Sequence, residues 1–199
     1  MIIDTNFDFH SDSKGGDPDI YSPTLKKYHQ ILWNKPLPNG KLLELDKKTG
    51  AYIYHKSELG EFFLGSDAIT NSYKHHKSKY WLTKGLEKDI EELYKAGATI
   101  GAYIIFPNKK INGMQTINQV RGINKFIDDR FDLTLHCIKL YYENKESPLY
   151  ITLKIYESFF KLFETFHGYI NFFLLNDLVD DKYNIKFFLP FSNFKIKPI

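Results

Sequence analysis

Two residues stand apart in this chain by their chemistry. Of its 27 basic residues only Arg121 and Arg130 carry a guanidinium, and they lie nine positions apart. A guanidinium is a planar, permanently charged fork that matches carboxylate and phosphate oxygens, whereas a lysine ammonium is a point charge. The two arginines therefore mark positions where that geometry is needed, either to hold phosphate or to clamp internal carboxylates and carbonyls. Placed on a helical wheel, residues 120–143 gather a polar stripe of Arg121, Lys125, Asp128, Asp132, His136, Lys139 and Glu143, with Asp129 at its edge. Asp128, Asp132 and His136 are spaced i, i+4, i+8 and stack on one helix face. Two carboxylates four apart repel unless a proton or cation sits between them. The trio could hold a divalent metal through oxygen and imidazole ligands, or be a solvated stripe neutralised by its lysines and Arg121. Arg130 falls between two apolar arcs, where it needs a carboxylate such as Asp67 or Asp177.

Other constellations are looser. The stretch from Thr116 to Gly122 follows a strand and a turn and opens a helix, so its amides, Asn118 and Arg121 could converge on an anion, although it lacks the G-x4-G-K-[ST] of a P-loop. His55, Ser57, Glu58, Glu61, Ser66 and Asp67 flank a strand pair and could form a pocket wall, Gly60 and Gly65 permitting close backbone approach. Asp8-x-His10-x-Asp12 alternates like a metallophosphoesterase strand end, but lacks the preceding apolar strand and reads as part of a polar arm. His75-His76, within the lysine-rich 74–79, forms a basic loop.

The elements that must position these residues follow from pattern. Residues 1–20 carry five aspartates against one lysine, with Gly15-Gly16 and Pro18, and read as an arm preceding a single domain over 21–199. Ser22-Pro23 caps a first helix, with Leu25, Tyr28, His29, Leu32 and Trp33 at helical spacing and Pro36 beyond its end. Short β-like runs at 42–46, 51–55 and 62–65 suggest an antiparallel meander. A helix over 84–96 precedes a buried strand over 98–107. A long central helix is expected over about 117–144, then one from Ser147-Pro148 to Phe166 stopped by Gly168, a short apolar helix over 169–179 and a last strand over 185–191. Strands come mostly first and helices mostly later, which implies an α+β fold with the sheet packed on a helical block.

Composition bounds the function. With 199 residues, 43% hydrophobic and 17% aromatic, the chain can bury a sizeable core and is not a disordered segment. A net charge of +3 is too small to imply nucleic acid or an acidic membrane surface. There is no apolar run of membrane-span length and no secretory signal pattern, and the single Cys137 cannot form an internal disulfide, so a cytoplasmic setting and no membrane partner are expected.

Arg130-x5-His136 is similar to the R-x5-H signature of HEPN-type ribonucleases, all-helical proteins whose Arg and His act on the RNA 2′-hydroxyl and scissile phosphate; the strands read here do not suit an all-helical bundle. More extensively, the chain resembles an uncharacterised family of bacterial proteins. The resemblance is carried by Tyr21-Ser-Pro-Thr-Leu with Tyr28-His29 and Trp33-Asn-Lys-Pro-Leu-Pro-Asn-Gly40, by His55 to Asp67, by Thr116 to Gly122, by Asp129-Arg130-Phe-Asp132 with His136, and by Gly168 to Asp177. It implies a single bacterial domain and brings no activity with it. The family carries Glu where this chain has His136, and Ser where it has Gly65. The expectation is a small hydrolase acting on RNA or a nucleotide, of the toxin or phage-defence kind. Arg121, Asn118 and Arg130 would bind phosphate; His55, Asp132, His136 and Arg130 would be catalytic; Asp128, Asp132 and His136 would be metal ligands. The competing expectation is a non-catalytic module for a protein partner, with the arginines and aspartates as structural ion pairs.

Overall fold

The computed structural model describes residues 2–45, 47–49, 52–69 and 87–187. It is an α+β fold. Helix α1 (Pro18–Tyr21) leads into α2 (Pro23–Trp33), and a two-stranded ribbon follows, β1 (Lys35–Pro36) antiparallel to β2 (Leu42–Leu43). A four-stranded antiparallel sheet has the order β3 (Lys47–Thr49), β4 (Tyr52–Ser57), β5 (Gly60–Ala68), β6 (Tyr103–Pro107), with α3 (Glu87–Gly97) between β5 and β6. The rest is helical: α4 (Ile117–Ile123), α5 (Phe131–Tyr142), α6 (Tyr150–Ile155), α7 (Glu157–Lys161) and α8 (Phe166–Phe172). Among the described residues no helix is long and apolar enough to cross a membrane.

The aspartate-rich start of the chain is fastened to the fold. Phe9, in a short 3-10 turn at Phe9–Asp12, is fully buried and shares a small core with Leu25, Tyr28, Ile100, Ala102 and Tyr103. Asp12 then accepts a hydrogen bond from the Ser22 hydroxyl (2.5 Å) and one from the Thr24 amide (3.1 Å), placing a carboxylate at the N-terminus of α2 where the free amides and helix dipole favour it. Burial alone would raise the Asp12 pKa, but these bonds outweigh it and hold the group below its ordinary value. Ser22 ends α1 and caps α2 through the Leu25 amide, as its pairing with Pro23 implied.

The main core lies between the sheet and the helices. All five residues of β6 are buried, and Ile104, Ile105 and Phe106 join Ile53 and Leu64 of the sheet with Phe131, Leu135 and Ile138 of α5 and the aromatic block Phe159, Phe160, Phe163, Tyr169 and Phe173.

The expected continuous helix over 117–144 is two helices. Asn124 leaves α4 in an extended conformation and its side chain accepts from the Phe126 amide, while Asp128 and Asp129 both take left-handed backbone angles (φ 53° and 55°). Asx residues tolerate that region and form such local turns, which is why a helical periodicity in the apolar residues did not make one helix. The expected 147–166 helix is likewise interrupted, at Tyr156, between α6 and α7. Gly168 does not stop a helix; it lies inside α8, where its amide donates to the Thr165 cap. Ile185 makes a single bridge to Val179, residues 186–187 form no strand, and residues 188–191 of the expected strand lie outside the described residues, as do residues 84–86 of the expected helix and the 74–79 loop.

Gly168 is instead a point of close approach. A Cβ there would stand 2.1 Å from the Phe163 carbonyl oxygen and 3.1 Å from Pro38. Gly168→Ala therefore has to push α8 away from the chain that precedes it, and is expected to lower stability by about 1–3 kcal/mol in urea unfolding. An unchanged midpoint would mean that this contact relaxes freely.

Candidate functional site

The break between α4 and α5 decides what becomes of the polar stripe. Asp128 lies in the turn and α5 begins at Phe131, so Asp128, Asp132 and His136 do not stack on one helix face as the metal reading required. Asp132 is 1% exposed and turned toward Arg130, whose Nε and Nη2 donate to its two carboxylate oxygens at 3.1 and 2.6 Å; the Leu133 amide donates to the same group. Among the described residues no group of three or more His, Cys, Asp or Glu side chains is placed to hold a metal ion. His136 is half-buried with its ring 5.5 Å from that of Phe187, and burial, helped by Lys139, pushes its pKa down. His55 is buried between strands. Its Nδ1 lies 2.6 Å from the Glu44 carbonyl, its Nε2 2.8 Å from the Ser57 hydroxyl, and its ring stacks on Phe62. Each expected catalytic residue thus has its own structural partners.

Among the described residues Arg121 is the largest side chain that is fully buried. From α4 its Nη1 reaches Asp67 on β5 at 2.5 Å, the Ala68 carbonyl at 3.3 Å and the Asp129 carboxylate at 3.5 Å. Its Nη2 donates to the Asp129 carbonyl at 3.2 Å and its Nε to Thr134 on α5 at 3.2 Å. Thr134 passes the bond on to the Arg130 carbonyl. An anion is expected at the start of α4. Thr116 and Gln119 close that end as a reciprocal capping box, and Arg121 points into the core. Asn118 keeps a buried side-chain oxygen without a hydrogen-bond partner. Asp67 had been considered for Arg130; it belongs to Arg121.

The residues with perturbed chemistry lie on the other side of Asp67. Helix α1 packs on β5 and sets Asp19 beside Ser66 and Asp67. One oxygen of the Asp19 carboxyl is buried with no hydrogen-bond partner. Burial, followed by the charges of Asp67 and Asp17, pushes its pKa up to about 8 against the weaker pull of Ser66 and Arg121, so it is a neutral acid at pH 7. Burial also raises Asp67, with Arg121 opposing. Tyr103, buried nearby, is held neutral for the same reason, with Asp19 and Asp17 adding to it.

Behind Ser66 runs a hydrogen-bond chain whose direction can be derived. The Trp33 indole, a donor only, gives its N–H to His29 Nδ1 at 2.9 Å. The neutral His29 ring must then carry its proton on Nε2, which donates to Ser66 Oγ at 2.7 Å. His29 is fully buried, and burial takes its pKa down to about 3. His29 therefore cannot serve as a base toward Ser66. It orients the serine so that the Ser66 hydroxyl is left to donate toward Asp19. Sequence reading had placed His29 in a helix core and Ser66 and Asp67 on a pocket wall without joining them to Asp19. The adjacent Asp17-Pro18-Asp19 and Ser22-Pro23 signals were the only local hint.

The chain belongs to a family of unknown function (DUF6994), whose model matches residues 3–199. No curated protein and no solved structure matches it.

Two measurements probe this geometry. Lysine keeps the charge of Arg121 but cannot span Asp67, Asp129 and Thr134 together, so Arg121→Lys is expected to cost about 2 kcal/mol or more in urea unfolding; a change of only tenths would show that the clamp is dispensable. Between pH 3.8 and about 8 the folded chain holds a proton on Asp19 that the unfolded chain has released, so this group's contribution falls as pH rises through that range. His29 acts in the opposite sense, its contribution being lost as pH falls from 6.5 toward about 3. The stability difference between the protein and Asp19→Asn should therefore shift steadily against the unsubstituted chain from pH 4 to 8. A difference that does not vary with pH would mean an ordinary carboxyl.

Proposed function

We propose that the protein is an acid–base hydrolase in which Asp19 is the proton donor and Asp67, held by Arg121, is the ionised partner. The observation that carries this reading is the partly buried Asp19 carboxyl, with one unpartnered oxygen and a pKa near 8, beside a second carboxyl held by the Arg121 guanidinium. Pairs of carboxyl groups driven apart in this way divide the acid and base roles of general catalysis. Strongly perturbed titratable groups cluster at functional sites, which supports this reading. Ser66, oriented by His29 and Trp33, would hold Asp19 in position.

The substrate class differs from the phosphate expected of two isolated arginines. Both guanidinium groups are engaged by carboxylates, and the charges acting on Asp19 and Asp67 include Asp17 and Asp129 against Arg121, with the Lys26 ammonium on the neighbouring Ile20 carbonyl. A phosphodiester would meet a negative field there; a neutral or cationic substrate would not. The second reading, a protein-interaction module, is favoured by the internal pairing of Arg121 and Arg130.

The test is a panel of chromogenic esters, amides and glycosides alongside a phosphodiester and an RNA oligonucleotide. Turnover of an uncharged substrate is expected, declining as pH rises past about 8 and falling about a hundredfold in Asp19→Asn. Turnover confined to the phosphodiester or RNA would restore the phosphate reading, and an inert protein that captures a folded partner would favour the interaction module.

A further inference from the structure

A second site lies at the opposite end of the Trp33 side chain. The β1–β2 ribbon and α8 face each other across a cleft of about 450 Å³, whose walls include Lys35, Pro36, Pro38, His167, Asn171 and Phe172. Gly168 lets these two segments approach closely, as described above. The Lys35 ammonium is held over two aromatic faces, 5.0 Å from the Trp33 ring centre and 4.8 Å from that of Phe172. Both rings are 4% exposed, so the platform under the ammonium is set by the core. No acidic side chain lines the cleft, and no carboxylate pairs with Lys35 among the described residues. His167 and Asn171 stand exposed on the facing helix, the former with its ring against Tyr183 at 4.3 Å.

A half-enclosed ammonium that no carboxylate neutralises is unusual, because a cation taken out of water is normally paired. Aromatic faces offset part of that cost without cancelling the charge. The positive field is therefore left for something that enters from outside, in a cleft that also offers an amide and an imidazole as hydrogen-bond donors. Burial lowers the Lys35 pKa.

We propose that this cleft binds the oxyanion group, carboxylate or phosphate, of a small molecule, with Lys35 as its charge partner, Asn171 and His167 as donors, and Pro36 and Pro38 as apolar walls. The site is separate from the acid–base cluster, and its test requires no turnover. The full-length protein is titrated with inorganic phosphate and with acetate at constant ionic strength, binding being read by calorimetry. Three variants are compared. Lys35→Met keeps the apolar stem over the rings, Asn171→Ala changes an exposed residue that the fold does not need, and Lys27→Met removes a charge from the exposed face of α2. The expected result is saturable binding of at least one anion, weakened about tenfold by Lys35→Met and measurably by Asn171→Ala, and unchanged in Lys27→Met. Phosphate alone or acetate alone would identify the source of the oxyanion. Should Lys35→Met fail to fold, the Asn171→Ala comparison decides. Absence of saturable binding to the unsubstituted protein, equal loss in Lys27→Met, or undiminished affinity in Lys35→Met and Asn171→Ala would overturn the proposal.

Discussion

A fully buried guanidinium is the constraint around which this structure is arranged. A charge withdrawn from water costs several kcal/mol unless its donors are met with good geometry. Arg121 meets them with a strand, a turn and a helix at once: Asp67 and the Ala68 carbonyl on β5, both the carbonyl and carboxylate of Asp129, and Thr134 on α5. Each of these must be in place for the charge to be tolerated, so the position of the sheet relative to the helices is tied to one side chain. The left-handed Asp128–Asp129 backbone, an arrangement that costs on the order of 1–3 kcal/mol per residue, is what brings Asp129 under the guanidinium. Strain in the turn and satisfaction of the buried charge thus form one feature.

The same clamp shapes the chemistry beyond it. Arg121 opposes the rise that burial imposes on Asp67, and the charge of Asp67 adds to the rise at Asp19. A guanidinium and two carboxyls, both raised by burial, therefore follow one another outward from the core. Desolvation raises both carboxyls, but only Asp67 has a guanidinium within hydrogen-bonding distance to oppose it. On the far side, Trp33 and His29 fix the donor direction at Ser66. A buried indole that can only donate thereby sets the proton position two residues away, and it does so from inside a helix whose register is set by the Ser22 and Asp12 cap. Trp33 presents its ring face to Lys35 while its N–H feeds this chain, so one core residue supports two polar regions.

Where patterns in the sequence were local, they carried over into structure. The Ser22-Pro23 cap, the helix ending before Pro36, the antiparallel strands and the 103–107 part of the expected 98–107 strand, whose earlier residues Ile100–Ala102 form a 3-10 turn, all arise from contacts within a few residues or from alternation along one segment. The apolar periodicity of 117–144 holds in part, since Ile127, Phe131, Leu135 and Ile138 are buried while Ile123, on the same arc of the wheel, is 70% exposed, and the pattern spans a turn. Apolar periodicity reports which residues face the core, not whether the backbone between them is continuous. The turn was chosen by Asn124, Asp128 and Asp129 together with a distant guanidinium, and only their joint arrangement makes it favourable.

The sequence by itself determined the α+β class, the special status of its two arginines and the elements that carry them, because propensity, capping and guanidinium chemistry are properties of short segments. It also held the alternative of a clamp, which the carboxylate pairing of both arginines matches, but could not name the partners. Pairing Arg121 with Asp67 spans 54 positions, and bringing Asp19 of α1 against Ser66 of β5 depends on how one layer lies on another. Burial, which turns an ordinary aspartate into a neutral acid and an ordinary histidine into a fixed donor, is a property of the packed molecule. For that reason the candidate site moved from the His136 stripe to Asp19, Ser66 and Asp67 only in the tertiary structure.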